Sequence, residues 1–529
     1  MTFEGREMSS IQASKAQNPD ESGGTLALNR RQILGAAAAA TFGHTGEVMA
    51  ATRSAGSGEL HELGLAAAAR AIRNGELSSE AYVGKLLERA REQADLKAFI
   101  TIDEASVLET ARQADRSLRA GRTAPLLGVP LAVKDSYLTK GLTTTIGTSV
   151  LATFKPTRDA EAVAGAKDAG AIIFGKNNLV EMSYGLTGLN AHHGQVKNPY
   201  NKANVTGGSS SGAGASVAAR IVPAALGGDT VGSIRVPASL CGVVGYKPTP
   251  GRWPSKGVAP ISHTLDTTGL LARSVEDCEL VDAVLTKSPV HSSNAIGNLK
   301  GVKFAYAPRQ YLADVDGEVD RAFRATLRQL KDAGAELVEV DLGGDFLDLA
   351  DRTTWPIFFH ETMPAVRKFL AASELPVSFE QIYAGLGENI KGSWSHFVVS
   401  SGAGYVSDEK YLAALNVDRQ ELRRRFAAIA FGQADALLFP TTPCAAPRIE
   451  NQWKFRVAGK DVTDLYLSRN THPSSAAGVP GISIPMALNS EGLPLGLELD
   501  AAAGRDRELL ALARRVEQVI GHLPGPAGF

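Results

Sequence analysis

One lysine and two serines lie in segments of the sequence that could support nucleophilic chemistry. Lys134 follows the apolar residues of the segment Gly128–Asp135, where desolvation could keep its amine neutral. Ser209 lies in the glycine-rich stretch Gly207–Ser216, whose successive N–H groups could form a nest for an anion. Ser233 closes a glycine-containing turn, which could aim backbone N–H groups at a developing oxyanion.

Each of these segments also has an ordinary structural interpretation. A lysine at a strand end usually extends its amine to water. A serine in a glycine-rich loop usually hydrogen-bonds its own backbone. The stretch Gly207–Ser216 could also cradle a phosphate, although no Lys-Ser or Lys-Thr pair closes it as in a Walker loop. The joint occurrence of the three segments in one chain favours the chemical interpretation.

The elements that must position these residues alternate between strand and helix. Helices are predicted near Leu63–Asn74 and Ser78–Gln93, and again over the three-to-four-residue repeat that begins at Val319 and ends before a C-cap at Gly334. Strands are predicted at Ala98–Ile102, Val129–Val133, Ala171–Gly175, Val302–Ala307, Glu336–Val340, Ala436–Phe439, Ile482–Met486 and Leu495–Leu499. This alternation predicts an α/β protein whose sheet is covered by helices on both faces.

No linker rich in proline or serine divides the chain, so residues 57–525 are predicted to form one large domain. Within it, residues 345–435 read as mostly helical and carry several aromatic residues. This segment is expected either to form a wall of a pocket or to pack as a helical layer on the sheet.

Composition and charge exclude several classes of protein. The chain is 44% hydrophobic and 21% charged with a formal net charge of −1, which provides no basic surface for nucleic acid. Its three cysteines lack the short spacing of zinc or redox sites, and no H-E-x-x-H pattern occurs, so no metal is expected. No apolar run approaches the length of a membrane span.

Residues 1–50 read as a leader with a twin-arginine export signal. Asn29–Leu34 contains the two arginines and precedes an alanine-rich run that ends near Phe42. Val48–Ala50 then fits the small residues before a cleavage point. The signal departs from the usual pattern at Asn29, Ile33 and Gly35. It predicts a periplasmic or secreted protein, and the alternative is a disordered leader on a cytoplasmic one.

Taken together, the three segments resemble the amidase signature family. Its G-G-S-S-G/S-G core matches residues 207–212, and its G-x-D-x-G-G-S-x-R-x-P core matches residues 227–237 except at Val231. Its lysine-bearing strand matches residues 128–135, and Leu265–Gly269 and Gly478–Pro485 extend the resemblance. The resemblance implies a single domain with a mixed sheet as its core, and amide hydrolysis without a cofactor.

The resemblance also assigns roles to the three residues. Ser233 would attack the amide carbonyl, Ser209 would relay protons after a cis Gly208–Ser209 peptide bond, and Lys134 would be the base. Lys134 must then be neutral, which requires its pKa to fall from about 10.4 to about 7. We therefore predict that the carboxylate of Asp135 points away from Lys134.

The backbone N–H groups of Thr230, Val231, Gly232 and Ser233 would form the oxyanion hole. Val231 stands where the family usually has glycine, so either its φ is negative and the hole survives, or its side chain narrows the site. Supporting roles are expected for Gly207, Gly208, Ser210, Asp229 and Arg235, of which Asp229 and Arg235 would hold the turn by polar contacts.

The segment Gly257–Leu271 resembles the corresponding segment of family members that act on mandelamide and indoleacetamide. Small aryl or aryl-acetamide-type amides are therefore the expected substrates. An aromatic pocket formed by Tyr184, Trp355, Phe359 and Trp394 would suit them, although each of these residues could equally pack in the core. The resemblance also allows a homodimer.

Three alternatives stay open at this point. The chain could hydrolyse peptide or N-acyl amides. It could be the glutaminase subunit of a tRNA-dependent amidotransferase, which an export signal contradicts because that subunit works in the cytosol with a partner. It could also be a binding protein on the same fold without catalysis, although all three catalytic residues are present.

Overall fold

Apolar runs along the chain form the strands of one large mixed sheet. The computed structural model describes residues 60–289 and 298–527. The strands are β1 (Phe99–Thr101), β2 (Pro130–Lys134), β3 (Ile172–Asn177), β4 (Ala224–Asp229), β5 (Val244–Lys247), β6 (Thr267–Ala272), β7 (Lys303–Tyr306), β8 (Glu336–Glu339), β9 (Ala436–Pro440), β10 (Lys454–Val457), β11 (Lys460–Thr463), β12 (Gly481–Leu488) and β13 (Pro494–Asp500).

Eleven of these strands belong to the main sheet, in the order β1-β3-β2-β4-β6-β5-β12-β13-β9-β7-β8. The neighbours β3, β2 and β4 run parallel, as do β9, β7 and β8 at the other side, and the strands between them pair antiparallel. Strands β10 and β11 form a separate two-stranded hairpin.

Helices connect the strands and cover the sheet. They are α1 (Leu65–Arg73), α2 (Ser79–Glu92), α3 (Glu104–Arg119), α4 (Glu161–Asp168), α5 (Ser211–Ala218), α6 (Arg235–Cys241), α7 (Val275–Leu285), α8 (Pro308–Tyr311), α9 (Gly317–Asp332), α10 (Phe346–Ala372), α11 (Phe379–Gly385), α12 (Glu388–Phe397), α13 (Asp408–Ala413), α14 (Arg419–Arg425), α15 (His472–Ala477) and α16 (Asp506–Ile520). Every residue of β2, β3, β5, β6, β9 and β13 is buried. Because side chains alternate between the faces of a strand, both faces of the sheet are covered. The predicted fold class is confirmed.

The predicted strands all exist, with ends shifted by one or two residues. The predicted helices correspond to α1, α2 and α9, with Ser78 accepting a capping hydrogen bond from Ala81 N and Gly334 at a positive φ. Helix α5, which begins at Ser211 directly after the glycine-rich loop, was not predicted. Strands β4, β5 and β6 were not predicted.

Residues 345–435 are mostly helical, as expected, and include α10 to α14. Their apolar side chains form a core of their own, which also takes in Tyr184, Val231 and Ile261 from the segments around the candidate site. The two expectations for this segment are therefore both met, because it packs as a layer and also contributes a pocket wall. No helix of residues 60–289 and 298–527 is long and apolar enough to span a membrane. The predicted leader, residues 1–50, lies outside the described residues.

Candidate active site

Lys134 and Ser233 reach the same edge of the sheet because their strands run parallel. Lys134 is the last residue of β2, and the chain leaves the neighbouring strand β4 at Asp229, four residues before Ser233. The carboxyl ends of adjacent parallel strands are where ligands bind in α/β proteins. Strand pairing thus brings together two groups that lie about a hundred positions apart in sequence.

Lys134 is buried and donates a hydrogen bond from Nζ to Ser209 Oγ at 2.8 Å. Burial lowers the pKa of Lys134 from 10.5 to about 7, against the opposing effect of the negative charges on Asp266 and Asp229. A large fraction of the amine is therefore neutral near pH 7, as a base must be.

Asp135 points away from Lys134, as predicted. One of its carboxylate oxygens accepts a hydrogen bond from Thr145 N at 2.8 Å, and the other lies 3.4 Å from Lys176 Nζ. Asp135 and Lys176 are both fully buried, so they form a separate ion pair beside the site. The base thus keeps its low-dielectric surroundings without a direct counter-charge on its neighbour.

Ser209 is held by small residues in a tightly packed loop. The Gly208–Ser209 peptide bond is cis, as predicted. A Cβ atom on Gly208 would lie 2.9 Å from the side chain of Val180 and 3.0 Å from the carbonyl oxygen of Gly185, so no larger residue fits. Gly207 has a φ of +77°. The glycines of this loop therefore serve close packing around Ser209.

Ser210 connects this loop to the segment that carries Ser233. Its backbone N–H donates to Ser233 O at 3.2 Å, and its hydroxyl donates to Gly228 O at 3.2 Å. The hydroxyls of Ser209 and Ser233 are not hydrogen-bonded to each other in this structure. Catalytic hydrogen bonds are often long before substrate binds and tighten in the complex. The structure joins Lys134 to Ser209 directly, and links Ser209 to Ser233 through the backbone N–H of the next residue, Ser210.

The N–H groups of residues 230–233 have no protein acceptor among the described residues, although the segment is buried. Buried N–H groups are rarely left unpaired. Four consecutive free donors beside a serine hydroxyl match what a developing oxyanion requires.

Val231 does not have a positive φ, so its side chain does not strain this loop. Its carbonyl accepts a hydrogen bond from Thr471 Oγ1 at 2.7 Å. Gly232 carries the unusual conformation, with a φ of +139°, and a Cβ atom there would lie 2.2 Å from Thr471 Oγ1. Thr471 thus fixes the loop from outside, a role that the sequence did not reveal.

Asp229 and Arg235 hold the turn by polar contacts, as expected. Arg235 Nε donates to Asp229 Oδ2 at 3.1 Å, and both side chains are fully buried. Burial raises the pKa of Asp229, but the charge of Arg235 outweighs it and the net pKa is lowered. Arg235 also bonds Glu498 at 3.1 Å and Ser474 at 2.8 Å, which ties the turn to the opposite part of the sheet.

Asp266 is a site residue to which the sequence assigned no role. It accepts hydrogen bonds from Thr230 Oγ1 at 2.7 Å and from Ile261 N at 2.8 Å. Burial raises the pKa of Asp266 to about 6, against the effect of these hydrogen bonds. Its position within the matched segment Leu265–Gly269 was the signal that could have identified it.

An aromatic cavity of 350 Å³ opens beside Ser233. Its lining includes Tyr184, Val231, Trp355, Phe358, Phe359 and Trp453. The predicted pocket residues Tyr184, Trp355 and Phe359 are therefore placed in it. The prediction for Trp394 is wrong, because this side chain is fully buried, stacks on Phe379 with centroids 5.4 Å apart, and packs behind Tyr184.

A second cavity, of 430 Å³, opens on the Lys134 side. Its floor includes Asp229, Thr230 and Asp266, and its rim carries the exposed cations Arg158 and Lys368. Ser183 and Ile261 line both cavities, so the two meet at the candidate triad. Within the described part of the chain, no cluster of His, Cys, Asp and Glu could hold a metal ion.

The sequence matches the Amidase family over residues 81–510, which is most of the chain. A crystal structure of an amidase superimposes with a TM-score of 0.77 at 30% sequence identity, covering 87% of this chain and 100% of the other. The chain belongs to the Amidase family, the amidase signature enzymes, and is an amide hydrolase.

Curated relatives fall into two groups by activity. Mandelamide hydrolase of Pseudomonas putida is 34% identical, covering 88% of this chain and 93% of the relative. Indoleacetamide hydrolase of Pseudomonas savastanoi is 32% identical, covering 87% and 98%. A glutamyl-tRNA(Gln) amidotransferase subunit of Desulforapulum autotrophicum is 36% identical, covering 88% and 99%. Sequence identity alone does not separate these activities.

Proposed function

We propose that this chain hydrolyses small aryl and aryl-acetamide-type amides to a carboxylate and ammonia through an acyl-Ser233 intermediate. The observation that carries the proposal is the position of Ser233, which lines an aromatic cavity and follows three residues whose N–H groups are free. The relay of Lys134, Ser209 and Ser233 provides the chemistry, and the cavity provides the preference for an aromatic acyl group.

Acylation would begin with Lys134 neutral. Ser209 passes its hydroxyl proton to Lys134 Nζ across their 2.8 Å contact and takes the proton of Ser233 as Ser233 Oγ attacks the carbonyl carbon. The carbonyl oxygen becomes an oxyanion held by the N–H groups of residues 230–233. Ser209 then gives a proton to the departing nitrogen and recovers one from Lys134. The C–N bond breaks, ammonia leaves, and Ser233 carries the acyl group as an ester.

Deacylation would use the same groups with water in place of the amine. Ser209 takes a proton from the water while its own proton goes to Lys134, and the water oxygen attacks the ester carbon. Collapse of the second oxyanion releases the carboxylic acid and returns a proton to Ser233 Oγ. The relay therefore ends in its starting state and needs no cofactor.

The aromatic cavity favours aryl substrates over glutamine. Among the described residues, its lining contains no lysine, arginine or histidine that could neutralise the α-carboxylate of glutamine. Offset and edge-to-face rings such as Tyr184 and Phe358, with centroids 4.9 Å apart, suit an aromatic acyl group instead. The relatives that act on mandelamide and indoleacetamide support the same choice.

The proposal is tested by ammonia release from phenylacetamide, indole-3-acetamide and glutamine. The wild-type protein should hydrolyse the two aryl amides, and Ser233→Ala should abolish the release. Mass spectrometry after acid quench should detect an acyl adduct on wild-type Ser233 and none on the variant. Release from glutamine alone would contradict the proposal and favour the amidotransferase assignment.

We propose further that the chain is exported through its twin-arginine leader and acts in the periplasm. The supporting observation is the sequence of residues 29–50, with its paired arginines and small residues before Ala51. Fractionated cells should contain a processed form outside the cytoplasm, which replacement of Arg30 and Arg31 by lysine should retain inside. An unprocessed chain found only in the cytoplasm would contradict export. The homodimer also stays a prediction, which light scattering on the purified protein would test.

A further inference from the structure

The aromatic cavity beside Ser233 contains one charged side chain, Asp464. Among the described residues that line this cavity, all others are apolar, aromatic or neutral polar. Asp464 is half-buried and forms no ion pair within residues 60–289 and 298–527. A lone carboxylate on an aromatic wall leaves this cavity with a net negative charge that the protein does not neutralise.

The lining residues near Asp464 are more exposed than those near the reacting serine. Its sequence neighbour Leu465 is 42% exposed, and Trp453, which also lines the cavity, is 40% exposed. Val231 and Ser233 at the inner end are only 5% and 3% exposed. An acyl group with its carbonyl at Ser233 would therefore point its distal end toward Asp464.

The state of this carboxylate fits a ligand-binding role. Burial raises the pKa of Asp464 to about 6, against hydrogen bonds from the N–H groups of Leu465 and of Asp464 itself. The group is therefore mostly ionised at pH 7 and above. An ionised carboxylate attracts a cation by direct charge, and the rings of Trp355 and Trp453 in the same lining can add cation–π contact.

We propose that this cavity selects acyl groups whose distal end carries a cationic amine, with Asp464 as the counter-charge. Neutral donors such as an indole N–H or a phenol would bind the same carboxylate more weakly, since they carry no charge. The inference rests on the proposed function, because it takes Ser233 as the point where the acyl carbonyl is held.

Asp464 has a competing structural role that the test must separate. It is the first residue of the short helical turn Asp464–Ser468, which follows Thr463 at the N-cap. Asparagine has nearly the shape of aspartate and keeps a side-chain oxygen that can accept hydrogen bonds from nearby N–H groups. Asp464→Asn therefore removes the charge and keeps the turn, whereas a role in the turn alone would change stability and leave substrate preference unaffected.

The test compares phenylacetamide with 4-(aminomethyl)phenylacetamide, which differ by one ammonium group at the distal end of the ring. We expect the wild-type protein to prefer the cationic substrate in kcat/KM, and Asp464→Asn to reduce that preference by at least about tenfold. Asp464→Lys should reverse it in favour of 4-(carboxymethyl)phenylacetamide. The control is Asp461→Asn, because Asp461 lies three residues earlier, in strand β11, but is exposed and does not line the cavity.

The outcomes separate the two proposals. Hydrolysis of phenylacetamide with no preference for the cationic substrate, or a preference that Asp464→Asn leaves intact, overturns this inference and keeps the proposed function. Equal changes in Asp461→Asn and Asp464→Asn would also overturn it, because they would reflect overall charge. Failure to hydrolyse either substrate contradicts the proposed function itself. Thermal melting of each variant shows whether the turn is preserved.

Discussion

The two cavities that meet at the triad differ in chemistry more than in size. The cavity on the Ser233 side has a volume of 350 Å³ and aromatic walls, whereas the one on the Lys134 side has 430 Å³, a polar floor and a cationic rim. Ser209, which contacts Lys134 on the second side, is the group that would protonate the leaving nitrogen in the proposed mechanism. The acyl half of a substrate therefore belongs to the aromatic cavity and the amine half to the polar one.

The wall between the cavities is a short loop that helix α10 holds in place. Glu361 of α10 accepts hydrogen bonds from Thr264 N at 3.0 Å and from Tyr411 OH at 2.8 Å, and also from Ser262 Oγ. Ile261 at the start of this loop lines both cavities. The buried carboxylate of Glu361 thus holds the loop that separates the two cavities. Residues that line only one cavity can therefore be substituted separately from those that line the other.

The largest loss of activity should come from substituting Lys134, because the base is needed whatever the acyl or amine half of the substrate. Lys134→Met removes the base and should lower kcat/KM by about 10²- to 10⁴-fold for every amide, whatever its acyl or amine part. Initial rates of ammonia release measure this loss. Lys256→Met is the matched control, since this exposed lysine lies on the rim of the polar cavity. A loss confined to one substrate would show that Lys134 belongs to a single half-site.

The pH dependence of hydrolysis should be set by Lys134, which lines the second cavity. Below its pKa of about 7, Lys134 holds a proton and cannot accept one from Ser209, so kcat/KM should fall about tenfold per pH unit there. Above pH 7 the rate should reach a plateau. Rate profiles with phenylacetamide and indole-3-acetamide should share this acidic limb. If the pKa of the acidic limb changed with the acyl group of the substrate, the titrating group would lie in the aromatic cavity.

On the aromatic side, Val231→Gly should widen the space next to the reacting carbonyl. The valine side chain lines the cavity, so a branch at the α-carbon of the substrate should meet it. The ratio of kcat/KM for 2-phenylpropanamide over phenylacetamide should rise about tenfold in the variant. Val281→Ala is a buried control in helix α7, away from both linings. An unchanged ratio would exclude Val231 as a determinant of acyl shape.

On the amine side, Ala372→Trp should partly fill the mouth of the polar cavity. Ala372 is exposed, so the substitution leaves the core intact. We expect hydrolysis of N-benzyl-phenylacetamide to fall by several-fold, about 1 kcal/mol, while that of phenylacetamide is unchanged. Parallel assays of the two substrates give the comparison. Equal losses on both would show that nitrogen substituents do not enter this cavity.

The smallest effect should come from Asp266. Its negative charge raises the pKa of Lys134, so Asp266→Asn should move the acidic limb of the rate profile to lower pH by up to about one unit. Thr230→Val is the control, because it removes the hydrogen bond to Asp266 but keeps the charge. A limb that shifts equally in both variants would mean that geometry, and not charge, sets the pKa.

Strand β4 shows why part of the sheet could not be predicted from the sequence. Strand β4 reads Ala-Ala-Leu-Gly-Gly-Asp, with neither alternation nor β-branched residues. Gly227 is needed because neighbours crowd it, and a Cβ atom there would lie 2.9 Å from Leu271. This strand exists because of tertiary packing, which local propensity does not encode.

The site shows the same division. Lys134, Ser209 and Ser233 lie in motifs, so their types and spacing identified them. Thr471 bonds the loop at Val231 from 240 positions away, and no local pattern signals such a contact. The positions of Asp464 and Trp394 could not be predicted for the same reason. Only the packing of remote segments determines which side chain faces a cavity and which is buried behind it.

The β10–β11 hairpin stands apart from the main sheet, yet Trp453 and Leu465 at its two ends frame the way in to Ser233. Its turn is fastened to the body by Ala458 N, which donates to Asp316 Oδ1 at 2.9 Å. Residues inserted in or deleted from this ribbon do not alter the register of any sheet strand. Changes in the length or sequence of this hairpin can therefore alter the cavity entrance, and with it the substrate range, while Lys134, Ser209 and Ser233 stay the same.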